Sequence, residues 1–164
     1  MVERDFVHAF AEVNDLAQIL TSTEFGKVCQ CLLAISFKKI GYSVSHFQFV
    51  GRPDFVVESA SENLAVEAKS SLARSIVIKK EDISGIVGLG HTPVVAVLTY
   101  PELSTRWLII ESTELSPRTY PKSELAAISD RKMEIEVSGA FQTILPRCRQ
   151  KSCQGASQLV DLIR

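Results

Sequence analysis

Two alternating segments joined by a short polar turn constrain the fold more than any other feature of this sequence. Residues 54–58 read Asp-Phe-Val-Val-Glu, and residues 63–69 read Asn-Leu-Ala-Val-Glu-Ala-Lys. Successive side chains of a β-strand point to opposite faces, so segments of this kind on either side of a turn are typical of an antiparallel hairpin. The pattern therefore predicts a hairpin whose turn is centred between Ala60 and Ser61.

This register separates the hairpin side chains into two faces of different character. The first face is wholly apolar and consists of Phe55, Val57, Leu64, Val66 and Ala68. The second face is mostly polar: Asp54 lies directly opposite Glu67, and Lys69 follows two residues later on the same face. A slip of one residue would place these carboxylates on the apolar face, which disfavours it. Two carboxylates and a lysine are thus expected to meet at one end of the hairpin.

The other patterns in the chain predict helices and strands around this hairpin. Apolar residues recur near a helical period over 4–20 and 23–40, and the apolar runs at 93–98 and 107–110 are typical of buried strands. The remaining predicted elements are a strand at 42–50, a helix at 79–90, a loop around Pro117 and Pro121, a strand at 133–137 and a short helix at 157–164. We expect an α/β fold in which a mixed central β-sheet is flanked by helices.

Composition excludes several classes of protein. The chain has 164 residues, 46% of them apolar, and a net charge of −1, as expected of an ordinary globular domain. No apolar run approaches the roughly 18 residues that a membrane span requires, and the N-terminus lacks the apolar stretch of a signal peptide. We therefore expect no membrane partner and an intracellular, cytoplasmic location, associated with the nucleoid if the source is prokaryotic.

The facing carboxylates indicate a site for a divalent cation. Two carboxylates directly opposite each other on a hairpin repel unless a cation or a proton lies between them. Their hard oxygens suit Mg²⁺ or Mn²⁺. Lys69 beside them can orient a water molecule or stabilise the charge of a phosphoryl group in a transition state. Glu24 lies in the first turn of the helix predicted at 23–40, from which a carboxylate can reach the same site. The alternative is a solvated ladder of ion pairs on the outer face of the hairpin.

This arrangement resembles the PD-(D/E)XK nuclease superfamily, which has the restriction-endonuclease-like fold. The family pattern is a glutamate on the first core helix, Pro-Asp before a strand and Glu-x-Lys on the next strand. The matching residues here are Glu24, Pro53-Asp54 and Glu67-Ala68-Lys69. The predicted αβββαβ order of residues 23–98 also matches, and within the superfamily the chain looks most like archaeal-type Holliday junction resolvases. It differs from them in its acidic N-terminal helix and its additional C-terminal residues.

The resemblance implies a Mg²⁺-dependent endodeoxyribonuclease that is Holliday junction resolvase-like and acts on branched DNA as a homodimer. It implies that Asp54, Glu67 and the Ala68 carbonyl hold Mg²⁺ or Mn²⁺, that Glu24 assists directly or through water, and that Lys69 positions the attacking water. No small-molecule cofactor is expected. A restriction or defence endonuclease is the alternative within the class. A non-catalytic DNA-binding or assembly module that keeps the fold is the alternative outside it.

The resemblance also divides the chain into three segments of one compact domain. These are an N-terminal helix at 1–21, a nuclease core at 22–111 and a C-terminal extension at 112–164 that is a possible DNA-binding or dimerisation element. Basic and hydroxyl side chains near the site and in the extension are candidates for contacts with DNA phosphates. They are Arg52, Ser70, Arg74, Lys79, Lys80, Arg147, Arg149 and Lys151.

Overall fold

A computed structural model describes residues 2–164 of the chain, with side chains from residue 9 onward. Its helices are α1 (Val2–Ile19), α2 (Ser22–Lys39), α3 (Lys80–Ser84), α4 (Lys122–Leu125), α5 (Arg131–Gln154) and α6 (Val160–Ile163), with short 3-10 turns at Ser112–Glu114 and Ala156–Gln158. The side chains of the first turns of α1 lie outside the described residues. No described helix combines the length and the apolar character that crossing a membrane requires.

The strands form one five-stranded mixed sheet and one two-stranded sheet. They are β1 (Ser43–Ser45), β2 (Phe55–Glu58), β3 (Asn63–Lys69), β4 (Ser75–Ile78), β5 (Thr92–Leu98), β6 (Trp107–Glu111) and β7 (Arg118–Pro121). The large sheet has the order β1-β2-β3-β5-β6, in which β3 and β5 are parallel and the other neighbours are antiparallel. The small sheet pairs β4 with β7. The predicted α/β class, with a mixed sheet flanked by helices, is confirmed.

The hairpin has the predicted register. Phe55 pairs with Val66 and Val57 pairs with Leu64, so paired residue numbers sum to 121. The apolar face of the hairpin packs into the main core together with side chains of α1, α2 and α5. This face carries no polar group, and burial against three helices therefore fixes the register and with it the positions of Asp54 and Glu67.

A second core covers the other face of the large sheet. Ala65 of β3 and Val95 and Val97 of β5 pack there against Ile76 of β4 and Ile86 after α3. The polar face of the hairpin is therefore not an outer, solvated surface. Asp54 and Glu67 at one end of this face are buried, which excludes a solvated ion-pair ladder there, whereas Glu58 at the opposite end is exposed.

Several element predictions between residues 42 and 90 need correction. The strand predicted at 42–50 comprises only Ser43–Ser45, because the chain leaves the sheet at His46, which has a φ of +50°. The helix predicted at 79–90 comprises only Lys80–Ser84 and is capped by Gly85; the positive φ values of Gly88 and Gly90 are incompatible with a helix that continues to residue 90. Strand β4 was not predicted at all, although Ser75–Ile78 alternates between exposed and buried side chains.

The strand predicted at 133–137 is wrong, because these residues belong to the helix α5. Asp130 caps this helix through a hydrogen bond from the Met133 N–H to its carboxylate, at 3.0 Å. Ile135 is 50% exposed, whereas the buried side chains continue at helical spacing through Val137 and Phe141. A five-residue window showed alternation, but the longer stretch follows the 3.6-residue period.

The C-terminal segment contributes to both cores. Val137, Phe141 and Leu145 of α5 lie in the main core with α1 and α2, and Tyr120 and Leu125 lie in the second core. The loop predicted around Pro117 and Pro121 contains β7, and the predicted terminal helix is present as a 3-10 turn followed by α6. Residues 112–164 are thus packed against the rest of the chain, and their proposed role in DNA binding or dimerisation stays a prediction.

Candidate metal centre

The register of the hairpin places Asp54 and Glu67 side by side at one end of the large sheet. Asp54 directly precedes β2, and its N–H donates to the Val66 carbonyl at 3.0 Å, which continues the antiparallel ladder. Its Oδ2 accepts a hydrogen bond of 2.8 Å from the Ala68 N–H of β3. These two hydrogen bonds therefore hold Asp54 against β3, the strand that carries Glu67 and Lys69.

Both carboxylates are removed from water. Asp54 is 9% exposed and Glu67 is 2% exposed. Burial and, to a lesser extent, the negative charge of Glu67 raise the pKa of Asp54 to about 7, against the opposing effects of the Ala68 N–H, Arg52 and Lys69. The pair therefore favours a proton or a cation near Asp54 at neutral pH.

Two cations bind Glu67 from the same side. Arg52 Nη1 forms an ion pair with Oε1 of Glu67, and Lys69 Nζ lies 3.1 Å from the same oxygen. The other oxygen, Oε2, is buried and has no hydrogen-bond partner. A buried carboxylate oxygen without a partner is costly unless a ligand completes it, so this atom marks the open position of the site.

Asp82 is the residue of this cluster that the sequence analysis did not single out. Its Oδ1 lies 2.8 Å from Arg52 Nη2 and 2.8 Å from Lys69 Nζ, and its side chain is fully buried. Burial alone would raise the pKa of Asp82, but hydrogen bonds from Lys69 and the Lys79 N–H, together with the charges of Lys69 and Arg52, lower it. The only sequence signal for Asp82 is its position three residues after Lys79, where a carboxylate can cap the start of a helix.

The donor set fits one magnesium ion. Mg²⁺ usually binds through one or two carboxylates and keeps several water ligands, so Asp54 and Oε2 of Glu67 suffice as protein ligands. Among the described residues, no group of three or more His, Cys, Asp or Glu side chains is arranged to hold a metal ion. The contact described for Ala68 is made by its N–H, and its predicted role as a carbonyl ligand stays a prediction.

Glu24 is not brought together with these two carboxylates. Helix α2 begins where Thr21 Oγ1 accepts from the Glu24 N–H at 3.2 Å, and the Glu24 carboxylate then accepts from the Ala156 N–H at 2.7 Å. A Cβ atom on Gly155 would lie 2.8 Å from Glu24 Oε1, so glycine permits this close approach. In this structure Glu24 therefore ties α2 to the C-terminal segment.

The predicted DNA-contacting residues fall into three groups. Arg52 is engaged with Glu67 and Asp82 as described. Arg149 binds acidic residues of α1, at 3.1 Å from Glu12 and 2.8 Å from Asp15. The remaining members lie near the site, after β3 and at the start of α3, or on α5: Ser70, Arg74, Lys79, Lys80, Arg147 and Lys151, all exposed except the half-buried Ser70.

No protein-family model matches this chain, and no curated protein matches it. Among solved structures, the chain is similar to Hjc of Archaeoglobus fulgidus, a Holliday junction resolvase from an archaeal hyperthermophile. The two chains are 18% identical, the match covers 63% of this chain and 88% of that chain, and the TM-score is 0.49.

Proposed function

We propose that this protein is a Mg²⁺-dependent endonuclease that hydrolyses phosphodiester bonds in DNA. The observation that carries the proposal is the buried Asp54–Glu67 pair, with a raised Asp54 pKa and a Glu67 oxygen that has no partner. A purely structural ion-pair network would satisfy both oxygens of a buried carboxylate. Perturbed, incompletely satisfied carboxylates of this kind are typical of catalytic sites.

Each residue of the cluster has a distinct role in the proposed reaction. Asp54 and Glu67 would hold the metal ion, and when bound the ion lowers the pKa of a water ligand and stabilises charge on the phosphate and the leaving 3′ oxygen. Lys69 is held on the polar face of β3 beside Glu67, where its ammonium can orient the attacking water toward phosphorus. Burial of the cluster strengthens each of these electrostatic interactions.

Branched DNA is the proposed substrate, and a homodimer is the proposed assembly. Symmetric cleavage of two strands requires two sites, and a two-fold dimer presents them in equivalent positions. A restriction or defence endonuclease with the same residues would instead prefer linear duplex. The exposed Lys79 and Lys80 lie at the start of α3, the helix that carries Asp82, and are proposed phosphate contacts.

Cleavage of labelled DNA tests this proposal. The panel contains single-stranded DNA, linear duplex, a flap and a four-way junction, each with Mg²⁺, Mn²⁺ or EDTA. The variants are Glu67→Gln and Lys69→Met. Glu58→Gln is the matched control, because Glu58 lies on the same face of the same hairpin but at its exposed, opposite end.

The parent protein is expected to cut the four-way junction with metal and not with EDTA. Glu67→Gln and Lys69→Met should each lower the cleavage rate by about a thousandfold or more, since loss of preorganised charge stabilisation costs several kcal/mol. Glu58→Gln should cut at the parent rate. A parent that cuts no member of the panel, or a Glu67→Gln protein that cuts like the parent, would contradict the proposal.

A further inference from the structure

The two cations of the cluster are shared between two carboxylates. Arg52 and Lys69 each contact Oε1 of Glu67, and each also contacts Oδ1 of Asp82. Neither carboxylate binds one cation alone. This symmetric sharing leaves one Glu67 oxygen free, although two positive groups lie beside it.

The absence of a side chain at Gly85 leaves room for Arg52 in this cluster. Gly85 follows α3, and a Cβ atom there would lie 2.6 Å from Cγ and 2.7 Å from Cβ of Arg52. Any other residue at position 85 would displace the arginine stem. Asp82 is itself fixed, because its Oδ2 accepts from the Lys79 N–H at 2.8 Å.

A divalent ion at the free Glu67 oxygen would repel both Arg52 and Lys69. Without a second anion, these cations would either leave the site or compete with the ion for Glu67. Asp82 supplies that anion, and its side chain is fully buried, so water does not screen its charge. The cluster as folded balances two positive groups with two negative ones before Asp54 is counted.

We propose that Asp82 is a positioning residue that retains Lys69 and Arg52 beside the metal site and keeps Glu67 available to the ion. This inference rests on the proposed function for its metal ion. Asp82 does not touch the ion itself. The negative charge of Asp82, which lies on α3, keeps Arg52 and Lys69 in place while Glu67 binds the metal ion.

Calorimetric titration of Mn²⁺ without DNA tests the positioning role. Asp82→Asn removes the charge but keeps the size and an acceptor for the Lys79 N–H, and it should weaken Mn²⁺ binding by about tenfold or more. Glu81→Gln, an exposed acid on the same helix, is the matched control and should bind Mn²⁺ like the parent. Asp82→Asn with the affinity of Glu81→Gln would overturn the inference.

A compensating substitution separates charge balance from mere structural damage. Arg52→Gln in the Asp82→Asn background removes the excess cation and should restore Mn²⁺ affinity to within about threefold of the parent. Two independent structural defects would add instead. A double variant that binds Mn²⁺ more weakly than Asp82→Asn would overturn the inference.

Urea unfolding in EDTA gives a readout that does not depend on the proposed function. Asp82→Asn should lower the unfolding midpoint, or prevent folding, because Arg52 and Lys69 are left with one buried partner. Adding Arg52→Gln should recover part of that loss. A parent without Mn²⁺ binding but with this recovery would end the nuclease proposal alone, whereas absence of recovery would end the charge-balancing role of Asp82.

Discussion

At the scale of single residues, the raised pKa of Asp54 makes a definite prediction about pH. Its folded-state pKa of about 7 exceeds the ordinary value of 3.8, so the folded protein binds the proton more tightly than the unfolded chain. The stability that this provides is complete below about pH 4 and is lost as the pH rises through 7. Above pH 7 the ionised pair destabilises the metal-free protein.

Asp54→Asn should therefore stabilise the metal-free protein at pH 8 by on the order of 4 kcal/mol and have little effect at pH 4. Asparagine keeps an oxygen that accepts from the Ala68 N–H, so the ladder is preserved. Urea unfolding in EDTA at pH 4, 6 and 8 measures the difference, with the exposed Asp161→Asn as the control. Equal stability of parent and Asp54→Asn at pH 8 would show that Asp54 has an ordinary pKa.

The same scale shows what the sequence could reveal of the site and what it could not. The wholly apolar face of the hairpin predicts its register, and the register places Asp54 directly opposite Glu67. The chain passes through β4 between Lys69 and Asp82. A short-range sequence pattern therefore could not predict that these two side chains meet. Glu24 was placed correctly on its helix, but its partner Ala156 lies 132 residues away in sequence.

At the scale of elements, α5 shows how a local pattern can mislead. The alternation of Met133, Ile135 and Val137 over five residues predicts a strand, whereas Asp130 and the buried spacing as far as Cys148 indicate a capped helix. The hairpin was predicted without this ambiguity, because the sequence contains both its polar turn and the separation of its apolar and polar faces. Short elements such as β4 were missed because four residues carry little periodic information.

Helix α5 contains Pro146, which gives a prediction for this element. Proline lacks the N–H that would bond to the Gln142 carbonyl, and position 146 is exposed. Pro146→Ala should raise the free energy of unfolding by about 1 kcal/mol, since the gain in helix propensity exceeds the entropy that alanine restores to the unfolded chain. Thermal and urea unfolding measure this, with Arg147→Ala as the neighbouring control.

A lower stability for Pro146→Ala than for Arg147→Ala would contradict this account of α5. It would mean that the proline produces a bend on which packing against α1 and α2 depends. Phe141 and Leu145 are buried just before Pro146, so a change in helix direction would alter their packing.

At the scale of the whole molecule, the C-terminal segment should be required for folding. Val137 and Phe141 are fully buried in the core formed with α1, α2 and the large sheet. Removal of residues 112–164 would expose that core and would also remove β7, the partner of β4. We expect the fragment 1–111 to lack a cooperative unfolding transition when measured by circular dichroism in urea.

A fragment 1–111 that unfolds cooperatively would instead show that these residues fold without the C-terminal segment. The point variant Phe141→Ala refines the test within the full chain. It should cost about 3–5 kcal/mol, whereas Ile135→Ala on the exposed side of the same helix should cost under about 1 kcal/mol.

Metal binding at Asp54 and Glu67 can be measured without knowing the DNA substrate. Mn²⁺ is titrated calorimetrically at pH 8, where Asp54 is ionised, into the parent, Asp54→Asn, Glu67→Gln and the control Glu58→Gln. We expect the parent and Glu58→Gln to bind one Mn²⁺ at millimolar or lower concentration, and Asp54→Asn and Glu67→Gln to bind it at least about tenfold more weakly. A parent that binds no Mn²⁺ at millimolar concentration, or equal binding by all four proteins, would contradict the account.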